Sequence, residues 1–277
     1  MTSISSAALD LKRLDILAKQ GTSIHLLDAR AKTIVTFGFI LAVISFDRYE
    51  VARLIPFFIF PAVILSLSSL PSLYIIRKIA IALPFLVAIG IFNPLVDHET
   101  LYQLGHLHIA AGWFSFASII LRGILTAGAA LILVGVTGFN DICLALERLG
   151  IPQIFVIQML FMYRYLFVLV EEGERVSRGR ELRSFGTRGF GSRSYISVIG
   201  HLIIRTWERA ERIRNAMLAR SFVGEFHAAS KMDFGKKEWF FVSSWLLIFI
   251  LLRFINIPER MSSLLAPLLN SRFFNSF

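Results

Sequence analysis

The chain has 277 residues, of which 56% are hydrophobic and 17% charged, with a mean hydropathy of +0.67 and a net charge of +10. A water-soluble domain of that length has no use for so much apolar surface, and runs of roughly 18 or more apolar residues read as membrane helices. The cations cluster beside hydrophobic spans, which fits the positive-inside pattern and anionic headgroups rather than nucleic-acid binding, and the one cysteine, Cys143, excludes an intramolecular disulfide and a cysteine-cluster metal site.

Residues 1–33 read as a polar cytoplasmic segment. Leu9, Leu11, Leu14, Ile16 and Leu17 suit a short amphipathic helix at the interface. No apolar core with a small-residue cleavage site follows, so no removable signal peptide is expected. Arg30 and Lys32, in Leu26-Leu27-Asp28-Ala29-Arg30-Ala31-Lys32, keep the amino terminus inside. A membrane bundle of four helices is expected over 34–139, with spans near Thr33–Phe46, Val51–Leu70, Ile79–Phe92 and Trp113–Phe139. Pro56, Pro61 and Pro84 lie inside spans, where neighbours must re-satisfy freed carbonyls. Arg77 and Lys78 mark a return to the cytoplasm, and Asn93–Gly112 reads as a polar outer loop. The fourth span is rich in small residues (Gly123, Ala127, Gly128, Ala129, Ala130) that let helices approach closely in lipid. Arg122 within it is either an intramembrane functional residue or a cation snorkelling to the outer end.

A coupling region of amphipathic helices is expected over 140–222, as helices at 140–150, 152–184 and 195–220. The first is capped by Asn140 or Asp141. Ile151–Val170 is apolar, but Arg148 before it and the charged run after it both favour the inside. It is therefore expected to lie obliquely, as the first half of a helix from Pro152 to Ser184. In the last of the three, Ile199, Ile203, Thr206, Ala210, Ile213 and Met217 recur at helical spacing. Glu208 to Arg212 and Glu171 to Arg175 are i,i+4 pairs in the favourable order, and Gly173 with Ala210 suggests a close crossing. Residues 223–277 form a connector, a last membrane helix over Glu238–Ile257 and a tail. Five crossings then leave the carboxyl terminus outside, against which the basic Arg253, Arg260 and Arg272 stand in tension.

Glu171–Phe222 holds 11 of the 29 Lys and Arg residues, and its two halves match. Glu174-Arg175 is followed eight residues after Arg175 by Leu182-Arg183-Ser184, and Glu211-Arg212 in the same way by Ala219-Arg220-Ser221. One arginine at a helix carboxyl end needs only the helix dipole to explain it. Two with matched lead-ins point to docking, for which a planar, permanently charged guanidinium is suited. No P-loop, no intramembrane acidic pair and no HExxH occurs, so neither a catalytic residue nor ATP hydrolysis by this chain is expected. His98, His106 and His108 share the outer loop with Asp97 and Glu99. They read as a polar loop containing histidine rather than as a metal site, and no metal ligand is assigned.

At these motifs the chain resembles the T component, the transmembrane scaffold, of energy-coupling factor transporters. Ala219-Arg220-Ser221 is similar to that family's paired Ala-Arg-Gly or Ala-Arg-Ser tips. Leu182-Arg183-Ser184 departs from it in having Leu for Ala, and Ser177-Arg178-Gly179 competes with it in the wrong register. Residues 26–32, Leu144–Pro152 and Tyr163–Leu169 are similar to the cobalt/nickel branch. The resemblance implies an all-α polytopic membrane protein with about five transmembrane helices and two long cytoplasmic coupling helices, in a bacterial cytoplasmic membrane. It implies two cytoplasmic ATPase subunits docked on Arg183 and Arg220 with their neighbours Leu182, Ser184, Ala219 and Ser221. Glu174, Arg175, Glu208, Glu211 and Arg212 would support the helices. A separate membrane-embedded substrate-binding S component would carry the cargo, cobalt or nickel ion, with a vitamin as the alternative; no cofactor and no nucleic acid are implied. Two other readings are an intramembrane enzyme built on Arg122, Arg164 and the outer histidines, and a basic anchor that recruits partners to anionic lipid.

Overall fold

The computed structural model describes residues 10, 12–96, 100–104, 107–183, 192–222 and 234–254, and these are helical apart from one hairpin. After a first helix α1 (residues 12–18) come α2 (Ala29–Ile44), α3 (Val51–Leu54), a 3-10 turn (Ile55–Phe58), α4 (Ile59–Ser68), α5 (Ser72–Gly90) and α6 (Phe92–Val96). The antiparallel strands β1 (Thr100–Leu104) and β2 (Leu107–Ala110) follow, then α7 (Ala111–Thr137), α8 (Phe139–Arg148), α9 (Gln153–Arg183), α10 (Ser192–Ala219) and α11 (Lys236–Phe254). The chain divides into two compact units, Met1–Ile16 with Phe139–Lys231 and Leu17–Gly138 with Met232–Phe277.

Sequence chemistry accounts for most element ends. Asp28 caps α2, its carboxylate accepting the Arg30 N–H at 2.8 Å. Pro56 lacks an N–H and crowds the carbonyl four residues back, and the helix there tightens to 3-10 between α3 and α4. Among the described residues, four segments are long and apolar enough to cross a membrane: Val51–Ser68, Ser72–Pro94, Gly112–Thr137 and Gln153–Gly179. Three of these overlap the expected spans near Val51–Leu70, Ile79–Phe92 and Trp113–Phe139. Helix α2 has only 16 residues, about 24 Å at the helical rise and short of the roughly 30 Å hydrocarbon core. Helix α11 carries Lys236, Lys237, Glu238 and Arg253 on either side of the uncharged stretch 239–252, and residues 255–257 of the expected last span lie outside the described residues. Residues 153–170, expected to lie obliquely, belong to a segment that qualifies by length and composition.

Three further expectations are corrected. Helix α5 begins at Ser72, so Arg77 and Lys78, expected before the third span, sit inside the helix. The segment expected as the loop Asn93–Gly112 contains most of α6 and the β1–β2 pair, in which Gln103 opposes His108 and Leu104 opposes Leu107. Helix α8 begins at Phe139, so Asn140 and Asp141 are in its first turn and not before it.

In the second unit, Phe39 of α2 stacks on Phe60 of α4 at 4.6 Å and meets Phe249 of α11 at 5.5 Å. Small residues close the helix contacts, as expected from the fourth span. A Cβ on Gly123 would lie 2.5 Å from Leu86 Cδ1, one on Gly90 2.8 Å from Phe116 Cδ2, and one on Gly38 2.8 Å from Leu246 Cδ2. At one end of this unit Arg122 donates to the Asp47 carbonyl, and Arg253 donates to the Ser45 carbonyl at 3.0 Å beside Glu50. Arg122 thus ties α7 to the turn after α2, and Arg253 joins the same turn.

Candidate docking helices and their tips

The long helices α9 and α10 belong to the first unit, and their support starts at α8. There Gly150 N–H donates to the Glu147 carbonyl and Ile151 N–H to the Leu146 carbonyl, with Gly150 at φ +105°. This is the 5→2 and 6→1 pair of a Schellman end, and Pro152 after it stops the helix. Asp15 of α1 closes the start of α8. Its carboxylate accepts the Phe139 N–H at 3.5 Å and the Tyr163 hydroxyl of α9 at 2.5 Å. The Tyr163 ring stacks on Phe139 at 4.4 Å. Cys143 is buried beneath, and loss of solvent pushes its thiol up to about 11, which removes it from thiolate chemistry at neutral pH.

Beyond that anchor, α9 and α10 meet through Arg205, which bonds Glu172 across the helices at 2.7 Å. Glu172 also takes Arg175 at 3.5 Å, an i,i+3 pair that replaces the expected Glu171–Arg175 pair. The expected Glu208–Arg212 pair forms at 3.8 Å, and Glu174 pairs with Arg178 at 3.9 Å and Glu211 with Arg214 at 4.0 Å. Apart from the half-buried Glu172, the members of these pairs are exposed, and each exposed pair contributes about 0–1 kcal/mol; they order the helix surfaces more than they stabilise them. Around the Arg205–Glu172 pair, which forms part of its wall, the helices leave a groove of about 670 Å³ lined by Phe161, Met162 and Tyr165 of α9 and Arg209, Ile213 and Met217 of α10. The expected α10 stripe is split by it. Thr206, Ala210, Ile213 and Met217 line the groove, whereas Ile199 and Ile203 are exposed. Nor do Gly173 and Ala210 mark a close crossing: a Cβ on Gly173 would meet Leu202 Cδ1 at an ordinary 3.9 Å.

Arg183 is the last residue of α9, next to an exposed Leu182; Ser184 lies outside the described residues. The competing Ser177-Arg178-Gly179 is inside α9 and so is no helix end. Ala219 ends α10, and Ala219, Arg220 and Ser221 are all exposed. Of the three loop histidines, His98 and His106 fall outside the described residues and His108 is in β2. No group of three or more His, Cys, Asp or Glu that could hold a metal ion occurs among the described residues. Sequence reasoning missed Glu172, whose partner is 33 residues away, and Asp15, whose partner Tyr163 is 148 residues away. No local signal marks either.

A family model described as CbiQ, cobalt transport protein, matches residues 20–232. An uncharacterized protein of Methanocaldococcus jannaschii is 36% identical over 81 residues, 28% of this chain and 30% of its own length. A putative fused cobalt transport protein, CbiMQ, of Methanocorpusculum labreanum is 27% identical over 121 residues, 43% of this chain and 20% of its length. The cobalt transport protein CbiQ of Salmonella typhimurium is 30% identical over 108 residues, 38% of this chain and 48% of its length. The aligned stretches thus cover less than half of each of these relatives.

Proposed function

Because this chain belongs to the CbiQ family of cobalt transport proteins, we propose that it is the membrane scaffold of an energy-coupling factor importer for cobalt or nickel ion. Two separate ATPase subunits in the cytoplasm dock on the tips at Arg183 and Arg220. A separate membrane-embedded S component carries the ion, and this chain performs no chemistry of its own. The observation that carries the reading is the exposed Ala219-Arg220-Ser221 tip at the end of a 28-residue helix.

The packing supports a lever rather than a rigid strut. Helices α9 and α10 share the Arg205–Glu172 pair and an open groove, whereas α5 and α7 interlock at Gly123 and Leu86. A pair joined by a surface ion pair shifts at a cost of about 1 kcal/mol or less. ATP-driven closure of the docked subunits therefore moves the two helices relative to each other. The motion reaches the S component because docking energy differs between the open and closed ATPase states.

Arg183→Glu and Arg220→Glu test this. Each variant is expected to insert normally while co-purification with the ATPase subunits falls at least about tenfold, the loss of one charge-assisted bidentate contact. Undiminished co-purification in both, with transport intact, rejects the proposal.

A further inference from the structure

The last turn of α10 is closed by two backbone bonds. Phe222 N–H donates to the Met217 carbonyl and Ser221 N–H to the Leu218 carbonyl, both at 3.0 Å. These are the 6→1 and 5→2 bonds of a Schellman end, with Arg220 as the C-cap residue. Ser221 makes the left-handed turn, at φ +57°. Helix α8 ends on the same bond pair with Gly150 in that place. Glycine is the usual occupant because any Cβ there crowds the carbonyl oxygen that follows. The α10 tip therefore holds a conformation its own side chain disfavours, at the residue next to the exposed arginine.

We infer that Ser221 is a positioning residue for docking: its left-handed backbone closes the helix end and presents Arg220 as the cap, and its hydroxyl is dispensable. The inference rests on the reading of Arg220 as a docking residue and adds what the third position of the tip does. If the closed end is the docking-competent state, any residue that opens it lowers apparent affinity in proportion to the closed fraction lost. A β-branched side chain at a left-handed position opens it most. Glycine and asparagine, which adopt that conformation readily, keep it closed.

Four variants separate backbone from hydroxyl. Ser221→Gly and Ser221→Asn change or remove the hydroxyl but suit the left-handed turn. Ser221→Thr keeps a hydroxyl on a β-branched carbon, and Ser221→Val has only the branch. The full-length chain in lipid nanodiscs is titrated with its ATPase subunits, and Arg220→Glu is measured alongside. Expected are Gly and Asn variants that bind as tightly as the parent or tighter, and Thr and Val variants that bind more weakly than the parent, because β-branching adds to the left-handed cost that Ser221 already carries. The Thr variant regains parental uptake rate at saturating ATPase subunit, since it impairs assembly and not the stroke. Thr binding like the parent while Gly binds weakly assigns the role to the hydroxyl and overturns the inference, as do four unchanged variants. If Arg220→Glu binds normally, the docking reading itself falls and takes this assignment with it; if it does not bind and the Ser221 series is flat, only the inference fails.

Discussion

Lys32 illustrates how one side chain settles an end of the second unit. It is 7% exposed, and its ammonium donates to the His25 carbonyl at 3.4 Å and the Val136 carbonyl at 3.5 Å. Val136 is in the last turn of α7, where carbonyls lack helical partners and a partial negative charge collects. The same cation acts on His25. Burial first, and then the Lys32 charge, hold the imidazole below its ordinary 6.5. With the folded value depressed, the unfolded chain takes up the proton first as pH falls. The contribution to stability is thus complete above about pH 6.5 and is lost below it. Thermal melting in detergent is expected to show the midpoint falling between pH 7.5 and 5.5, and His25→Gln is expected to flatten that slope. An unchanged slope in the variant would assign the pH dependence to other groups.

Between elements, the contrast is in how two helix pairs meet. On α7, Gly123 faces the Leu86 methyls of α5, and Gly128 faces Ile79, where a Cβ would sit at 3.3 Å. Lipid chains are as apolar as leucine, so close packing at small residues, and not burial from water, holds such helices together. Gly123→Val is expected to destabilise the protein by about 1–3 kcal/mol through overpacking. Leu86→Ala in the same chain is expected to recover part of the loss, read as a rise in the detergent melting midpoint of the double variant over the single one. If the two losses simply add, Leu86 is not the obstacle. On α9 and α10, Trp207 is 74% exposed and Leu182 is 78% exposed.

For the molecule as a whole, an interlocked membrane unit and a loosely joined helix pair suit different tasks. On the proposed reading, the first resists deformation and the second transmits it. Transport by the proposed assembly then depends on nucleotide turnover in another subunit. In cells expressing the complete importer, a catalytically dead ATPase subunit is expected to abolish accumulation of radioactive cobalt or nickel while leaving this chain at parental abundance in the membrane fraction. Ion uptake that persists would mean the chain works without the motor.

Much of the fold was legible because it is decided within a few residues of chain. The helices expected at 152–184 and 195–220 run Gln153–Arg183 and Ser192–Ala219. Their periodicity, and the proline and glycine that punctuate them, act over one or two turns. The Glu208–Arg212 pair and the small residues of α7 were legible for the same reason. Tertiary structure alone decided that Asp15 caps α8, that Glu172 and not Glu171 holds Arg175 and Arg205, and that Arg122 grips the Asp47 carbonyl. It alone put Lys32 at the end of α7, 104 residues along the chain. Each of these depends on which helix lies beside which, and an isolated stretch of sequence carries its own periodicity but not its neighbour.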